Sequence, residues 1–230
     1  MSFRILCDFD GTIALDDVTD RLLEQFALPH WREVEAEWLA GRIGSRECMA
    51  RQVALLRATR ADIDRVVDAV PIDPHFPAFV QRAKALAAEV LVVSDGLDYA
   101  IRRVLARCSL DHLPIFANRL EFTGERSCRL AFPHAAADCA KASGTCKCAI
   151  AAAGGGHGCR ILVGDGASDF CAAGSVDLVF AKDRLLDHCR SQGLPHRAID
   201  DFSDATFLLD TLVRGPVAAP ACCSLALEPV

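Results

Sequence analysis

The sequence predicts an α/β fold in which a parallel sheet carries helices on both faces and a small helical cap follows the first strand. Short apolar runs of the kind found in buried parallel strands occur at residues 3–6, 90–93, 161–163 and 176–181. The first three runs each end in polar residues and a glycine. Helical spacing of apolar residues fills most of the intervals, including a long block directly after the first run.

The composition limits the classes of function. The 230 residues are 52% hydrophobic and carry a formal net charge of −6, so neither disorder nor broad nucleic-acid binding is indicated. No apolar run is long enough to cross a bilayer, and the N-terminus enters a strand without a signal-peptide pattern. We therefore expect a cytoplasmic protein that binds neither nucleic acid nor membrane and holds a small anionic substrate at a local positive site.

The 12 cysteines are many for a cytosolic chain of this length. Most are scattered through predicted strands and helices, where a free cysteine acts as a small apolar residue. Cys139, Cys146 and Cys148 form the one tight group, but they lack the CxxC pairing typical of structural zinc. A zinc site at these three residues remains an alternative to a packing role.

The first strand ends in two acids, Asp8 and Asp10, followed by Gly11. Strand alternation would point both carboxylates to the same side, and the glycine would let the chain turn sharply beyond them. They would then meet at the carboxyl end of the strand, where open α/β sheets bind ligands. Because adjacent carboxylates repel each other, a hard cation such as Mg²⁺ is expected between them. The alternative is a strand end capped by turn-forming acids.

The block from about residue 16 to residue 70 has helical periodicity and no strand pattern. Helices inserted directly after a catalytic strand can serve as a lid that excludes water and selects the substrate. The alternative is that they cover the sheet without moving. The predicted division of the chain is a core of residues 1–14 and 75–212, a helical cap of residues 15–74 and a loose C-terminal tail of residues 213–230.

Two further segments offer groups that bind phosphate. Ser94 follows the second strand and could donate a hydrogen bond to a phosphoryl oxygen, although a turn-forming serine is an equal explanation. Lys147 directly precedes a helix of small residues that starts near Cys148, and a cation at a helix start needs an anionic partner. An aspartate pair and a phosphate would supply that partner. Lys141 is the alternative lysine.

A third strand ends in the segment GDGASD, which contains Asp165 and Asp169. These acids are four residues apart, so a helix that began at this point would place both on one face, directed at the same site. Between the second strand and Lys147, weak alternation at residues 115–132 predicts either a hairpin or an extended excursion of the chain.

These four segments resemble the motifs of the haloacid dehalogenase superfamily of Mg²⁺-dependent phosphotransferases. The superfamily motifs are DxDGT, a Ser or Thr, a Lys, and GDxxxD, and the match covers residues 3 to about 183. The helices after the first motif resemble the cap of the phosphoserine-phosphatase-like branch. Within it, a narrower family is similar, the phosphatases of the methionine-salvage enol phosphate. The segments that carry the narrower resemblance are CDFDGTI, Pro29-His30-Trp31, FPH at 132–134, GTCK and FAKDRLLDHCRSQGL.

The resemblance implies a Rossmann-like core and a phosphatase that acts on a small phosphorylated metabolite through an aspartyl-phosphate intermediate. Asp8 would be the nucleophile, and Asp10 would be the general acid and base. Mg²⁺ would be held by Asp8, the Asp10 carbonyl and Asp165, and Asp169 would support these ligands. The phosphoryl oxygens would be bound by the two residues identified above, Ser94 and Lys147.

The resemblance gives the least information about the residues of the cap that contact the substrate. Asp17, Arg46 and Arg51 are candidates for substrate contact, but each is equally well explained as a solvated helix charge. The arginine that holds the substrate carboxylate in phosphoserine phosphatases falls at Gln52, although Arg51 is adjacent, and this departure disfavours phosphoserine as the substrate. Asp95 also departs from the family pattern, since the second motif is SDG where SGG is usual.

Other functions stay open at this point. A phosphoserine-phosphatase-like enzyme is the nearest alternative. A dehalogenase is disfavoured because that relative lacks the acid at the position of Asp10, and a phosphomutase usually has a different cap. A catalytically silent binding protein is disfavoured because every expected catalytic position is filled.

Overall fold

A computed structural model describes residues 2–153 and 158–214, so the predicted tail lies outside the described residues from residue 215 onward. The chain divides into two compact units. The first unit comprises Met1–Ile13, Ile72–Val92 and Lys147–Val230, and the second comprises Ala14–Pro71 and Val93–Cys146.

Strands and helices alternate along much of the chain. The strands are β1 (Phe3–Cys7), β2 (Glu89–Leu97), β3 (Ile115–Gly124), β4 (Ser127–Ala131), β5 (Cys159–Gly164), β6 (Leu178–Ala181) and β7 (His196–Ala198). The helices are α1 (Val18–Phe26), α2 (Trp31–Leu39), α3 (Ser45–Ala54), α4 (Arg60–Asp68), α5 (Phe76–Ala85), α6 (Asp98–Ala106), α7 (Lys147–Ala152), α8 (Phe170–Ala173), α9 (Asp183–Gln192) and α10 (Phe202–Arg214). In the part of the chain that is described, no helix has the length and apolar character needed to cross a membrane.

The first unit is built on a parallel sheet, which confirms the predicted fold class. Its strands pair in the order β2-β1-β5-β6-β7, and all four pairings are parallel. The chain leaves β1 toward β2 on one side and later adds β5 on the other side. This change of direction makes the carboxyl ends of β1 and β5 the topological switch point, where open α/β sheets bind ligands.

The helices α5 and α10 of the first unit pack through aromatic rings. The ring of Phe202 lies 4.8 Å from that of Phe76 and 5.1 Å from that of Phe79, measured between centroids. Asp73 is 1% exposed and joins the starts of both helices. Its carboxylate accepts hydrogen bonds from the backbone N–H of His75 (2.8 Å) and of Phe202 (3.0 Å). This carboxylate therefore has a structural role.

The second unit contains α1 to α4, α6 and an antiparallel hairpin of β3 and β4. The helical periodicity of residues 16–70 correctly predicted α1 to α4. Of the two forms expected at residues 115–132, the structure has the hairpin. The start of α4 is fixed by a capping box, in which Thr59 and Asp62 each bond to the backbone N–H of the other. Arg107 donates to the carbonyl oxygens of Val67 (2.8 Å) and Val70 (2.6 Å) and so satisfies the end of α4.

Three local expectations are wrong. β1 ends at Cys7, so Asp8 and Asp10 lie in the following turn and strand alternation does not orient them. β2 continues to Leu97 and contains Ser94 instead of ending before it. Asp165 is not on a helix, because a 3₁₀ turn at Ala167–Asp169 is the first helical segment after β5.

Candidate active site

Three carboxylates converge at the carboxyl ends of β1 and β5. Asp8 follows β1 and Asp165 follows β5, and these strands are paired up to Cys7 and Val163. The 3₁₀ turn brings Asp169 back to the same place, so that one oxygen of each acid lies within 4.8 Å of the others. Within residues 2–153 and 158–214, this is the one group of three or more Asp, Glu, His or Cys side chains that meets this spacing. The three closely spaced cysteines, Cys139, Cys146 and Cys148, do not form a group with this spacing.

Lys147 lies between two of these acids. It is the first residue of α7 and is 2% exposed. Its Nζ lies 2.7 Å from Asp8 Oδ2 and 2.8 Å from Asp169 Oδ1. Burial alone would lower the pKa of Lys147, but the charges of Asp169 and Asp8 outweigh burial and raise the pKa above its ordinary value. The lysine therefore stays charged. The alternative lysine, Lys141, is exposed and belongs to the second unit.

Hydroxyl and backbone donors hold the carboxylates in place. Thr12 Oγ1 donates to Asp165 Oδ1 at 2.6 Å, and the backbone N–H of Phe9 donates to Asp8 Oδ1 at 2.7 Å. Ser168 Oγ accepts from Lys147 Nζ at 3.0 Å and lies 3.3 Å from Asp8 Oδ2, to which it donates. Thr12 and Ser168 were not among the predicted site residues, although both lie inside the motifs that identified the acids.

Two glycines allow the acids to come this close to the backbone. Gly11 has φ +74°, and a Cβ at this position would lie 2.5 Å from Asp165 Oδ2. A Cβ on Gly164 would contact Asp169 Oδ2 even more closely. A side chain at either position would displace a carboxylate, so the glycines are part of the site.

The cluster carries more negative than positive charge. Burial raises the pKa of Asp169, and the neighbouring charge of Asp8 raises it further against the opposing effect of Lys147. Burial also raises the pKa of Asp165, an effect that the hydrogen bond from Thr12 reduces. The cluster contains three acids and one buried ammonium group, so the site is suited to an additional cation with a preference for oxygen ligands.

The other two residues predicted to take part in the chemistry lie in different surroundings. Asp10 is half-buried in the turn that follows Asp8. Ser94 is 1% exposed and belongs to the second unit. Its Oγ accepts a hydrogen bond from the backbone N–H of Gly96 at 2.9 Å.

Of the cap candidates, Asp17 and Arg51 have clear structural roles. Asp17 is the N-cap of α1 and accepts from the backbone N–H of Asp20 at 2.9 Å. Arg51 binds both carboxylate oxygens of Glu37, at 2.7 and 3.2 Å. Arg46 is exposed near the start of α3.

Gln52 lies inside the second unit, where it is 3% exposed. Its Nε2 donates to Glu35 Oε2 at 2.7 Å. An amide paired with an acid therefore occupies the position at which the sequence resemblance would place a carboxylate-binding arginine. This pair offers no positive charge to a substrate carboxylate.

Residues 5–174 match the family model described as haloacid dehalogenase-like hydrolase. The chain belongs to this family. The expectation of a phosphatase with the haloacid dehalogenase fold is confirmed. Two relatives are proteins of Brevibacillus brevis and Geobacillus kaustophilus, both named 2-hydroxy-3-keto-5-methylthiopentenyl-1-phosphate phosphatase. The first is 32% identical over 89% of this chain and 94% of its own length, and the second is 31% identical over 91% and 95%.

Solved structures of phosphoserine phosphatases share the fold. A substrate-bound phosphoserine phosphatase complex superposes with a TM-score of 0.68 at 18% identity, covering 90% of this chain and 98% of that one. A phospho-aspartyl intermediate analogue of phosphoserine phosphatase gives 0.67 at 19% identity, covering 89% and 97%.

Proposed function

We propose that this haloacid dehalogenase-like phosphatase is a Mg²⁺-dependent phosphomonoesterase that forms an aspartyl-phosphate intermediate on Asp8. The observation that carries the proposal is the cluster of Asp8, Asp165 and Asp169, in which the buried ammonium of Lys147 contacts Asp8 and Asp169. A nucleophilic carboxylate must approach an anionic phosphate, and this site provides both a fixed cation and acids that can hold a second one.

The donor set fits Mg²⁺. All three clustered side chains offer carboxylate oxygens, which are the ligands that this hard cation prefers. Asp8, the Asp10 carbonyl and Asp165 would hold the ion, with Asp169 supporting them. The bound ion would offset the repulsion between the nucleophile and the phosphate.

Residues of the chain account for each phosphoryl and proton transfer. An Asp8 carboxylate oxygen attacks phosphorus and the bond to the leaving oxygen breaks, while Asp10 gives that oxygen a proton. Asp10 then takes a proton from water, which attacks phosphorus and releases inorganic phosphate from Asp8. Lys147 and Ser94 bind the phosphoryl oxygens, and the Lys147 ammonium also contacts Asp8 Oδ2 at 2.7 Å.

We further propose that the substrate is the enol phosphate named in the relatives, 2-hydroxy-3-keto-5-methylthiopentenyl-1-phosphate. Two observations support this choice over phosphoserine. The relatives that carry this name match over about nine-tenths of the chain, at 89% and 91%. The pairing of Gln52 with Glu35 leaves an acid where phosphoserine recognition would need a cation.

Phosphate release from a panel of phosphomonoesters tests the proposal. The panel contains the enol phosphate, phosphoserine, phosphoethanolamine and pyridoxal phosphate, each with Mg²⁺ and with chelator. We expect Mg²⁺-dependent turnover that is fastest on the enol phosphate and is lost in Asp8→Asn. A folded, Mg²⁺-binding protein that hydrolyses none of these compounds would contradict the proposed function, and faster turnover of phosphoserine would contradict the proposed substrate.

A further inference from the structure

The side chain of Asp95 joins three separate segments of the second unit. Its Oδ2 accepts from Ser45 Oγ at 2.5 Å, and Ser45 is the first residue of α3. Its Oδ1 accepts from Asn118 Nδ2 in β3 at 3.1 Å and from the backbone N–H of Thr145 at 2.9 Å. All three donors are neutral, so the carboxylate is bound by hydrogen bonds and not by an ion pair in this network.

The segments around Asp95 are also bonded to one another. Asn118 Nδ2 donates a second hydrogen bond to the Asp95 carbonyl at 2.5 Å, and Thr145 Oγ1 donates to Asn118 Oδ1 at 3.2 Å. The backbone N–H of Arg46 donates to the Ala142 carbonyl at 2.9 Å. Since Asn118 is fully buried and Thr145 is 1% exposed, these polar groups depend on one another for their partners.

Glycines let these segments pack closely. A Cβ on Gly44, the residue before α3, would lie 2.6 Å from Ala142 Cβ. A Cβ on Gly144 would lie 2.6 Å from the Phe132 ring and would overlap the Asn118 side chain. The start of α3, the strand β3 and the segment 142–145 are thus held together with little room for adjustment.

The position of Asp95 in the sequence links this network to the proposed chemistry. Asp95 directly follows Ser94, and Thr145 lies two residues before Lys147. We propose that Asp95 is a positioning residue that aligns Ser94 and the segment leading to Lys147 with the first turn of α3 before substrate binds. A glycine at this position, as in the SGG pattern, could not accept these hydrogen bonds. The inference rests on the proposed phosphatase function.

Three variants test this role. Asp95→Ala removes all three side-chain contacts. Asp95→Asn keeps an oxygen that accepts from Asn118 and Thr145, and its amide can donate to the hydroxyl of Ser45. Ser45→Ala removes the contact to α3 and leaves the other two. The measurements are kcat and KM with p-nitrophenyl phosphate, inhibition by inorganic phosphate, and hydrogen exchange of the backbone amides in α3 and in segment 142–145.

We expect Asp95→Ala to lower kcat/KM and weaken phosphate inhibition by about 10- to 100-fold, as loss of a group that orients a binding residue usually does. Asp95→Asn should recover most of this loss. Ser45→Ala should weaken phosphate inhibition less than Asp95→Ala does. A purely structural role would instead lower the fraction of active protein, with KM and phosphate inhibition unchanged in the folded fraction.

Two results would overturn the inference. One is an Asp95→Ala protein with wild-type kcat/KM and phosphate inhibition, and the other is an Asp95→Asn protein as impaired as Asp95→Ala. If the wild-type protein hydrolyses no phosphomonoester, the proposed function fails and hydrogen exchange alone decides whether Asp95 joins the segments. Asp95→Ala should then speed exchange in both segments and Ser45→Ala mainly in α3, whereas unchanged exchange in Asp95→Ala would exclude the network.

Discussion

Two carboxylate sites, one in each unit, bind their acids in opposite ways. In the first unit, two of three clustered acids contact the one ammonium group of Lys147 and the third, Asp165, does not, so the acids outnumber the cation at this site. In the second unit, the single carboxylate of Asp95 is matched by three neutral donors from three segments. Unbalanced charge is costly to bury and is retained where the chemistry of the site needs it. A carboxylate whose hydrogen bonds come from neutral donors instead holds the segments that carry those donors in place. The partners of an acid therefore indicate its role better than its burial does.

Lys147→Met should have the largest effect. It leaves Asp8 and Asp169 buried without their cation, which should lower the free energy of unfolding by about 3–5 kcal/mol and abolish turnover. Urea unfolding in chelator and in Mg²⁺ measures the free energy of unfolding, and Mg²⁺ should restore part of the lost stability. The exposed Lys141→Met is the matched control. Equal losses in the two variants would contradict the account.

Thr12→Val keeps the shape of the side chain and removes the hydrogen bond to Asp165. Without this bond the pKa of Asp165 should rise, and Mg²⁺ affinity should fall by about 10- to 100-fold. Calorimetric titration with Mg²⁺ measures the affinity. An unchanged dissociation constant would show that Asp165 does not ligate the ion.

Asp73→Ala removes a carboxylate of the first unit that, like Asp95, is bound by neutral donors. It should lower the free energy of unfolding by about 1–3 kcal/mol, because two backbone N–H groups lose their partner. The kcat per folded molecule should stay at the wild-type value. A selective loss of kcat would show that burial, and not the kind of partner, marks the functional acids.

Arg51→Ala should have the smallest effect. Its ion pair with Glu37 is partly exposed, with 41% of the Arg51 side chain accessible, so the stability change should be at most about 1 kcal/mol. KM for the preferred substrate should stay at the wild-type value, and Arg46→Ala serves as the comparison variant. A large increase in KM for Arg51→Ala alone would identify Arg51 as a substrate contact.

The sequence predicted the parts of the fold that depend on local pattern. Apolar runs predicted the strands that position Asp8 and Asp165, and helical spacing predicted α1 to α4. The strand β7 was missed because it has three residues, two of them polar, and α10 was missed although Phe202, Ala205, Leu209 and Leu212 form its buried face. The helix expected to carry Asp165 starts later, at the 3₁₀ turn, because residue spacing alone does not locate a helix start.

The contacts of the site depend on distant parts of the chain. The motifs predicted which acids take part, but not the hydrogen bond from Thr12 to Asp165, which is 153 residues away in the sequence. The partners of Asp95 lie 50, 23 and 50 residues away, so no local pattern indicates why an acid stands beside Ser94. The same holds for the amide of Gln52, whose acid partner is 17 residues away on another helix.

Trapping the covalent intermediate tests the central claim most directly. The enzyme is quenched during turnover with Mg²⁺ and its preferred phosphomonoester, treated with borohydride and digested, and the peptide containing residues 3–12 is analysed by mass spectrometry. Reduction of an acyl phosphate converts aspartate to homoserine, so we expect homoserine at position 8 when both substrate and Mg²⁺ are present. Phosphate release with Asp8 unmodified, or modification of another residue, would contradict the role of Asp8 as the nucleophile.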